Sequence, residues 1–232
     1  MHHDPVAIPV VLETGPKAKK FVAYSVDWPG WARGGKTAAD ALATFTAYRD
    51  RYREVARQAG LADEFDKAGP IEVAEERVGT GSTDFWGISF SASSTEHDQL
   101  PDAELERRLK LLRAAWELFD EAATRVSPEL RKGVRGGGRE RDEIVRHVMR
   151  VESLDFARQA GLLDYDEDTA PIAVAARTPY RARYLQAIRD YNAGKVAKKM
   201  RSWTLPFLIR HSAFHTLDHA WELQDRDLTP GR

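Results

Sequence analysis

The chain has 232 residues, 42% of them hydrophobic and 31% charged, with a formal net charge of −1 and no cysteine. That composition fits a soluble globular protein with room for one large domain or two small ones. It excludes disulfides, thiolate nucleophiles and cysteine metal ligands, and it leaves no global basic field for nucleic acid or an anionic membrane.

The first residues, "MHHDPVAIPVV", lack the basic and long apolar regions of a signal peptide, and no apolar run approaches the ~18 residues of a membrane span. A cytoplasmic protein is expected. His2 and His3 read as a disordered terminus. "VAIPVVLE" (residues 6–13) and "KFVAYSV" (residues 20–26) are β-like, the second alternating Phe21, Ala23 and Ser25 with Val22, Tyr24 and Val26. "DWPGWARGG" breaks the pattern. Thr37 is placed to cap a helix running to about Ala59, with Asp40 at the capping-box position and Ala41, Leu42, Phe45, Tyr48 and Tyr52 on its apolar face. "PIEVAEERV" (residues 70–78) reads as a third strand. "DFWGISFSA" (residues 84–92) reads as a fourth strand or as the connection out of the domain.

The texture changes near residue 95, and helices follow. One is expected over about residues 103–126, with Leu105, Leu109, Leu112, Trp116, Phe119 and Ala123 on a stripe. A glycine-rich loop, "SPELRKGVRGGG", precedes a second over about 139–160, whose stripe is Ile144, Val148, Val151, Leu154 and Phe156. A third spans about 171–193 and a fourth about 204–224. Four helices of this length, joined by short or medium loops, predict a bundle. The fold class is α+β: a small β-β-α-β domain over residues 1–95, then an up-down four-helix bundle over 96–232.

The last helix carries "RHSAFHTLDHAWELQDR", with His211, His215 and His219 at four-residue steps. Each step is about 400° of rotation and about 6 Å of rise, so the three share a stripe, but its ends stand about 12 Å apart. One ion can use an adjacent pair and not both ends, so the pair is either His211 with His215 or His215 with His219. His147, beside the apolar stripe of the second bundle helix, could supply the third nitrogen. Three imidazoles with open positions are the pattern of a catalytic rather than a structural site. The bland alternative is polar punctuation on amphipathic helices, and it fits His97, in a polar connection, best. Glu222, three residues after His219, and His211 are candidates to back a ligand by hydrogen bonding or to replace one. Arg135 and Arg139 in the glycine-rich loop are candidate anion-binding residues, as are Arg177, Arg181 and Arg183; the plain reading of the loop is a solvated connector. Trp116, Trp203 and Trp221 read as core more readily than as a pocket wall.

"GGGRERDEIVRHVMRVE" followed by "RHSAFHTLDHAWELQDR" resembles the DinB/YfiT-like superfamily of four-helix metalloproteins. The resemblance covers residues 96–232. It implies one divalent metal held by His147, His215 and His219, with zinc first and nickel or iron as alternatives. It implies either a hydrolase or a transferase that uses a low-molecular-weight thiol on a small-molecule substrate. Without cysteine, the chain would have to borrow that thiol. The alternative is a non-enzymatic metal-binding protein. "FVAYSVDWPGWARGGKTAADALATFTAYRDRY" resembles HicB-like antitoxin domains through Tyr24, Pro29, Gly30, Gly35, Thr37, Ala41 and Leu42. That implies the small α+β fold and a role in homodimer or partner contacts; neither nucleic acid nor a membrane is an expected partner.

Overall fold

A computed structural model describes residues 6–97, 99–133, 137–163, 173–196 and 200–229. It is α+β: strands β1 (Ile8–Thr14), β2 (Phe21–Ser25), β3 (Ala32–Gly35) and β4 (Ile71–Val78), with helices α1 (Ala38–Ala47), α2 (Arg49–Gln58), α3 (Ala62–Lys67), α4 (Gly81–Trp86), α5 (Asp102–Arg125), α6 (Arg141–Val151), α7 (Val174–Asn192) and α8 (Leu205–Asp225). The chain divides into two compact units, Met1–Ala114 with Ser202–Phe214, and Ala115–Arg201 with His215–Arg232. Among the described residues no helix is long and apolar enough to cross a membrane.

The first unit is built on one sheet of order β3-β2-β1-β4. β1 pairs antiparallel with β2 and parallel with β4, and β2 pairs antiparallel with β3. The turn into β3 comes directly from its residues. Pro29 and Gly30 sit between Trp28 and Trp31, whose backbone closes at 3.1 Å, and Gly30 takes a φ of 94° that a side chain would resist. This turn delivers Trp31 into an aromatic core. Its ring stacks on Phe45 at 4.2 Å and on Tyr52 at 5.3 Å, and its Nε1 donates to the Phe45 carbonyl. Tyr52 in turn donates to the Pro29 carbonyl at 2.8 Å.

The expected helix from Thr37 starts where predicted, with Thr37 Oγ1 accepting from Asp40 N. It does not run unbroken to Ala59. It splits into α1 and α2 at Tyr48, whose ψ of 1° leaves the helical range. Thr44 and Thr46 donate their hydroxyls to the Asp40 and Leu42 carbonyls, one turn back, and such bonds bend a helix. β3 and the short helices α3 and α4 add to the expected β-β-α-β plan, making it β-β-β-α-α-α-β-α. Residues 84–92 form no strand: α4 stops at Gly87, which caps it in the left-handed conformation.

Two carboxylates buried in this unit, Glu13 and Glu96, have hydrogen-bond partners. Glu13 is fully buried and accepts from Thr83 and Ser89 hydroxyls at 2.7 and 2.9 Å. Arg210 makes two bonds to Glu96, at 2.7 and 2.9 Å, and lies 3.9 Å from the Tyr24 ring.

The second unit packs four helical segments: the end of α5, α6, α7 and the end of α8. Trp116 and Tyr184 meet at 5.9 Å, and Phe119, Val148, Met149, Ile188, Leu217 and Trp221 are buried. α6 begins in a capping box in which Glu140 and Glu143 each hold the other's backbone N–H. It does not continue as α-helix to residue 160. Residues Glu152–Ala157 form a π-helical turn. The wider turn shifts the inward face, so Glu152 and Ser153 are buried where Val151 and Leu154 were expected. Glu152 is compensated by Arg181 at 3.2 Å. Asp120 takes Arg181 at 2.8 Å and Arg177 at 2.5 Å. A buried carboxylate without such partners would cost several kcal/mol.

Candidate metal centre

α6 and α8 bring three histidines of the second unit together. One nitrogen from each of His147, His215 and His219 lies within 4.8 Å of the others. The His147 and His215 Nε2 atoms are 3.2 Å apart. The ring centroids are separated by 5.1 Å (147–215), 4.9 Å (147–219) and 4.7 Å (215–219). Two nitrogens bound to one ion at about 2.1 Å each stand about 3.0–3.4 Å apart, so the closest pair already has a chelating separation. The local sequence explains the arrangement. The four-residue step puts His215 and His219 on adjacent turns of one face, and His147 is presented from the neighbouring helix. Phe156, on the π-helical turn, sits edge-on to His215 at 5.6 Å and closes one side.

The three rings are half-buried. Burial, then the His219 and Arg139 charges, push His147 down to about 4. Glu222 fixes the tautomer of His219. Its Oε2 lies 2.8 Å from His219 Nδ1 and, as a carboxylate oxygen, accepts from it, which in the neutral ring leaves the lone pair on Nε2. The other carboxylate oxygen takes Arg226 Nη1 at 2.6 Å. Burial raises the Glu222 carboxyl, but the hydrogen bonds and charges of His219 and Arg226 outweigh it and hold the group below its ordinary value.

His211 is placed differently. In the first unit its ring is stacked on Phe207 at 5.2 Å, with Phe90, Trp203 and Phe214 rings within 6.2 Å. Burial, then the Arg210 charge, push it down to about 3. It belongs to an aromatic core and not to the nitrogen cluster. Its neighbours Trp203 and Phe207 explain why a histidine at ligand spacing is spent on packing.

Comparison with protein-family models, with curated proteins and with solved structures finds no match to this chain.

Of the candidate anion-binding residues, Arg135 lies outside the described residues. Arg139 is exposed, and its charge reaches His147. Arg177 and Arg181 are committed to the Asp120 and Glu152 carboxylates, and Arg183 lies over the Tyr180 ring at 5.9 Å. Trp116 and Trp221 are buried core. His97 is exposed, as its polar setting suggests. A separate cleft of about 660 Å³ opens in the first unit beside Trp28, walled by the ion pairs Arg107–Glu64 and Arg108–Glu104. Sequence reading missed Arg226. Its four-residue spacing from Glu222 was the available signal, since residues so spaced face each other on a helix.

Proposed function

We propose that the second unit is a divalent-metal centre of the DinB type, serving hydrolysis or thiol-dependent group transfer on a small molecule. The observation that carries this reading is the convergence of His147, His215 and His219, with Glu222 holding the far nitrogen of His219. The donor set fits a borderline cation. Three imidazoles and no thiolate suit zinc first, then nickel or iron.

A divalent ion bound there would lower the pKa of a coordinated water or thiol and so supply a nucleophile near neutral pH. The protein's own residues do the rest. Burial keeps His147 unprotonated above about pH 5, so protons do not compete for its nitrogen. Glu222 orients His219 and adds negative charge behind it. Arg139, exposed and within electrostatic range of His147, is placed to receive an anionic end of a substrate. With no cysteine in the chain, a sulfur nucleophile would come from a low-molecular-weight thiol.

A second reading is a non-enzymatic metal-binding or interaction protein in which the HicB-like half makes homodimer or partner contacts. It is favoured by β4, an edge strand exposed on most of its length, and by the 67% and 61% exposure of Phe85 and Trp86. Turnover separates the two. Protein purified without a nickel resin is screened with thiols and electrophiles, and with hydrolysable esters and amides, each with and without chelator. A chelator-sensitive activity supports the enzyme; a bound metal with no such activity across the panel supports the binder.

A further inference from the structure

The glycine-rich connector before α6 is not an idle loop at its described ends. Gly138 takes a φ of 126°, and a Cβ there would stand 2.6 Å from Nη2 of Arg226. The guanidinium of Arg226 therefore occupies the space a side chain would fill. All three of its nitrogens are engaged. Nη1 donates to Glu222 at 2.6 Å, Nε to the Arg131 carbonyl at 2.8 Å, and Nη2 to the Arg139 carbonyl at 2.8 Å. The connector answers in kind. Arg131 N donates to the Arg226 carbonyl at 2.8 Å, and Arg131 Nη2 donates to the Asp225 carbonyl at 2.5 Å. Arg139 directly precedes Glu140, the cap of the helix that carries His147. Glu222, at the other end of the bridge, holds His219.

We propose that Arg226 is a positioning residue that clamps Arg131 and the Gly138–Arg139 backbone to the carboxylate behind His219, coupling the order of these residues to metal occupancy. The proposal rests on the metal-centre reading above. Its physical basis is a continuous chain of hydrogen bonds, from the Arg131 and Arg139 carbonyls through Arg226 and Glu222 to His219. Only a planar guanidinium can span it, because three acceptors lie in different directions and a lysine ammonium is a single point of charge. Linkage makes the effect reciprocal: a ligand seated on the connector changes metal affinity by the factor by which metal changes that ligand's.

The test uses the full chain and zinc. Binding is measured by chelator competition for the wild type and for Arg226→Gln, Arg226→Lys and Gly138→Ala. Hydrogen exchange is followed with and without zinc. The wild type is expected to bind one zinc, and Arg226→Gln and Gly138→Ala to bind it about tenfold more weakly, the lower end for loss of a group that orients a ligand. Arg226→Lys should resemble the glutamine variant. Zinc should slow exchange at residues 127–133 and 137–141 in the wild type and not in Arg226→Gln. If Arg226→Gln fails to fold, Arg226→Lys reads the same contact; Gly138→Ala disturbs it from the connector's side and also strains a backbone held at a φ of 126°. Unchanged affinity in Gly138→Ala and either arginine variant, beside a zinc-binding wild type, overturns the clamp and leaves the metal centre standing. Protection confined to the ligand helices also overturns it. A wild type that binds no zinc removes the metal centre itself.

Discussion

His211 and the pair His215 and His219 occupy the same helix at the same spacing, yet the surroundings of each unit make them different chemical objects. Around His211 there are rings: Phe207 stacked on one face, and Phe90, Trp203 and Phe214 nearby. Around His215 and His219 there are another imidazole and a carboxylate held by an arginine. A four-residue repeat puts histidines on one stripe. Whether a histidine becomes a ligand depends on what the neighbouring helix presents to it, and that is a long-range property. A histidine among aromatics is kept neutral for packing. A histidine backed by a carboxylate has one nitrogen oriented and the other left for an ion.

The largest way to break this comparison is to delete the shared vertex. His147→Ala should abolish stoichiometric zinc binding, and His211→Phe should leave one zinc per chain, both read by metal analysis after gel filtration. Loss of metal in the His211 variant with a normal fold would mean the ligand set is wrong. Next in size is acid stability. His211 titrates near 3 in the folded protein and at about 6.5 when unfolded, so below pH 6.5 the unfolded state takes up a proton that the folded state does not. Stability is therefore lost as pH falls through 6.5 towards 3 and is fully present only above about pH 7.5. By pH 5 the total loss is about 2 kcal/mol, with the slope approaching 1.36 kcal/mol per pH unit. Urea melts of His211→Phe should lack that part of the slope. Equal slopes in the two proteins would show that the buried ring is not a proton-linked group.

The sequence carries much of this outline and little of its detail, for physical reasons. Long amphipathic helices repeat their signal over several turns, so α5, α7 and α8 begin and end within a few residues of expectation. The three histidines meet because helix periodicity fixes two of them and the apolar stripe beside His147 turns the third inward. β3 went unread because "ARGG" carries no alternation, and the break at Tyr48 because the apolar face continues across it. The π-helical turn changes the period itself, so a 3.6-residue pattern put Leu154 inside where Glu152 is. Nothing in one dimension says that the third glycine of "GGG" makes room for an arginine almost ninety residues later; that contact exists only in the fold.

A finer test separates orientation from charge. Glu222→Gln keeps the shape and an acceptor for His219 Nδ1 but removes a negative charge, and should weaken zinc about tenfold.

Arg139→Ala tests the opposite sign with the smallest effect. Arg139 is exposed, and its positive charge acts on His147, so it opposes a second cation in the same place. Its removal should strengthen zinc binding, by no more than about threefold, because water and salt screen an exposed charge. Raising the salt concentration should shrink the difference from wild type, since the Debye length falls to about 3 Å at 1 M. If Arg139 also receives an anionic substrate, the same variant raises KM while zinc affinity improves. A residue that merely supported the fold would weaken both together. A weaker zinc site in Arg139→Ala would place that arginine among the structural supports of the cluster rather than at its electrostatic rim.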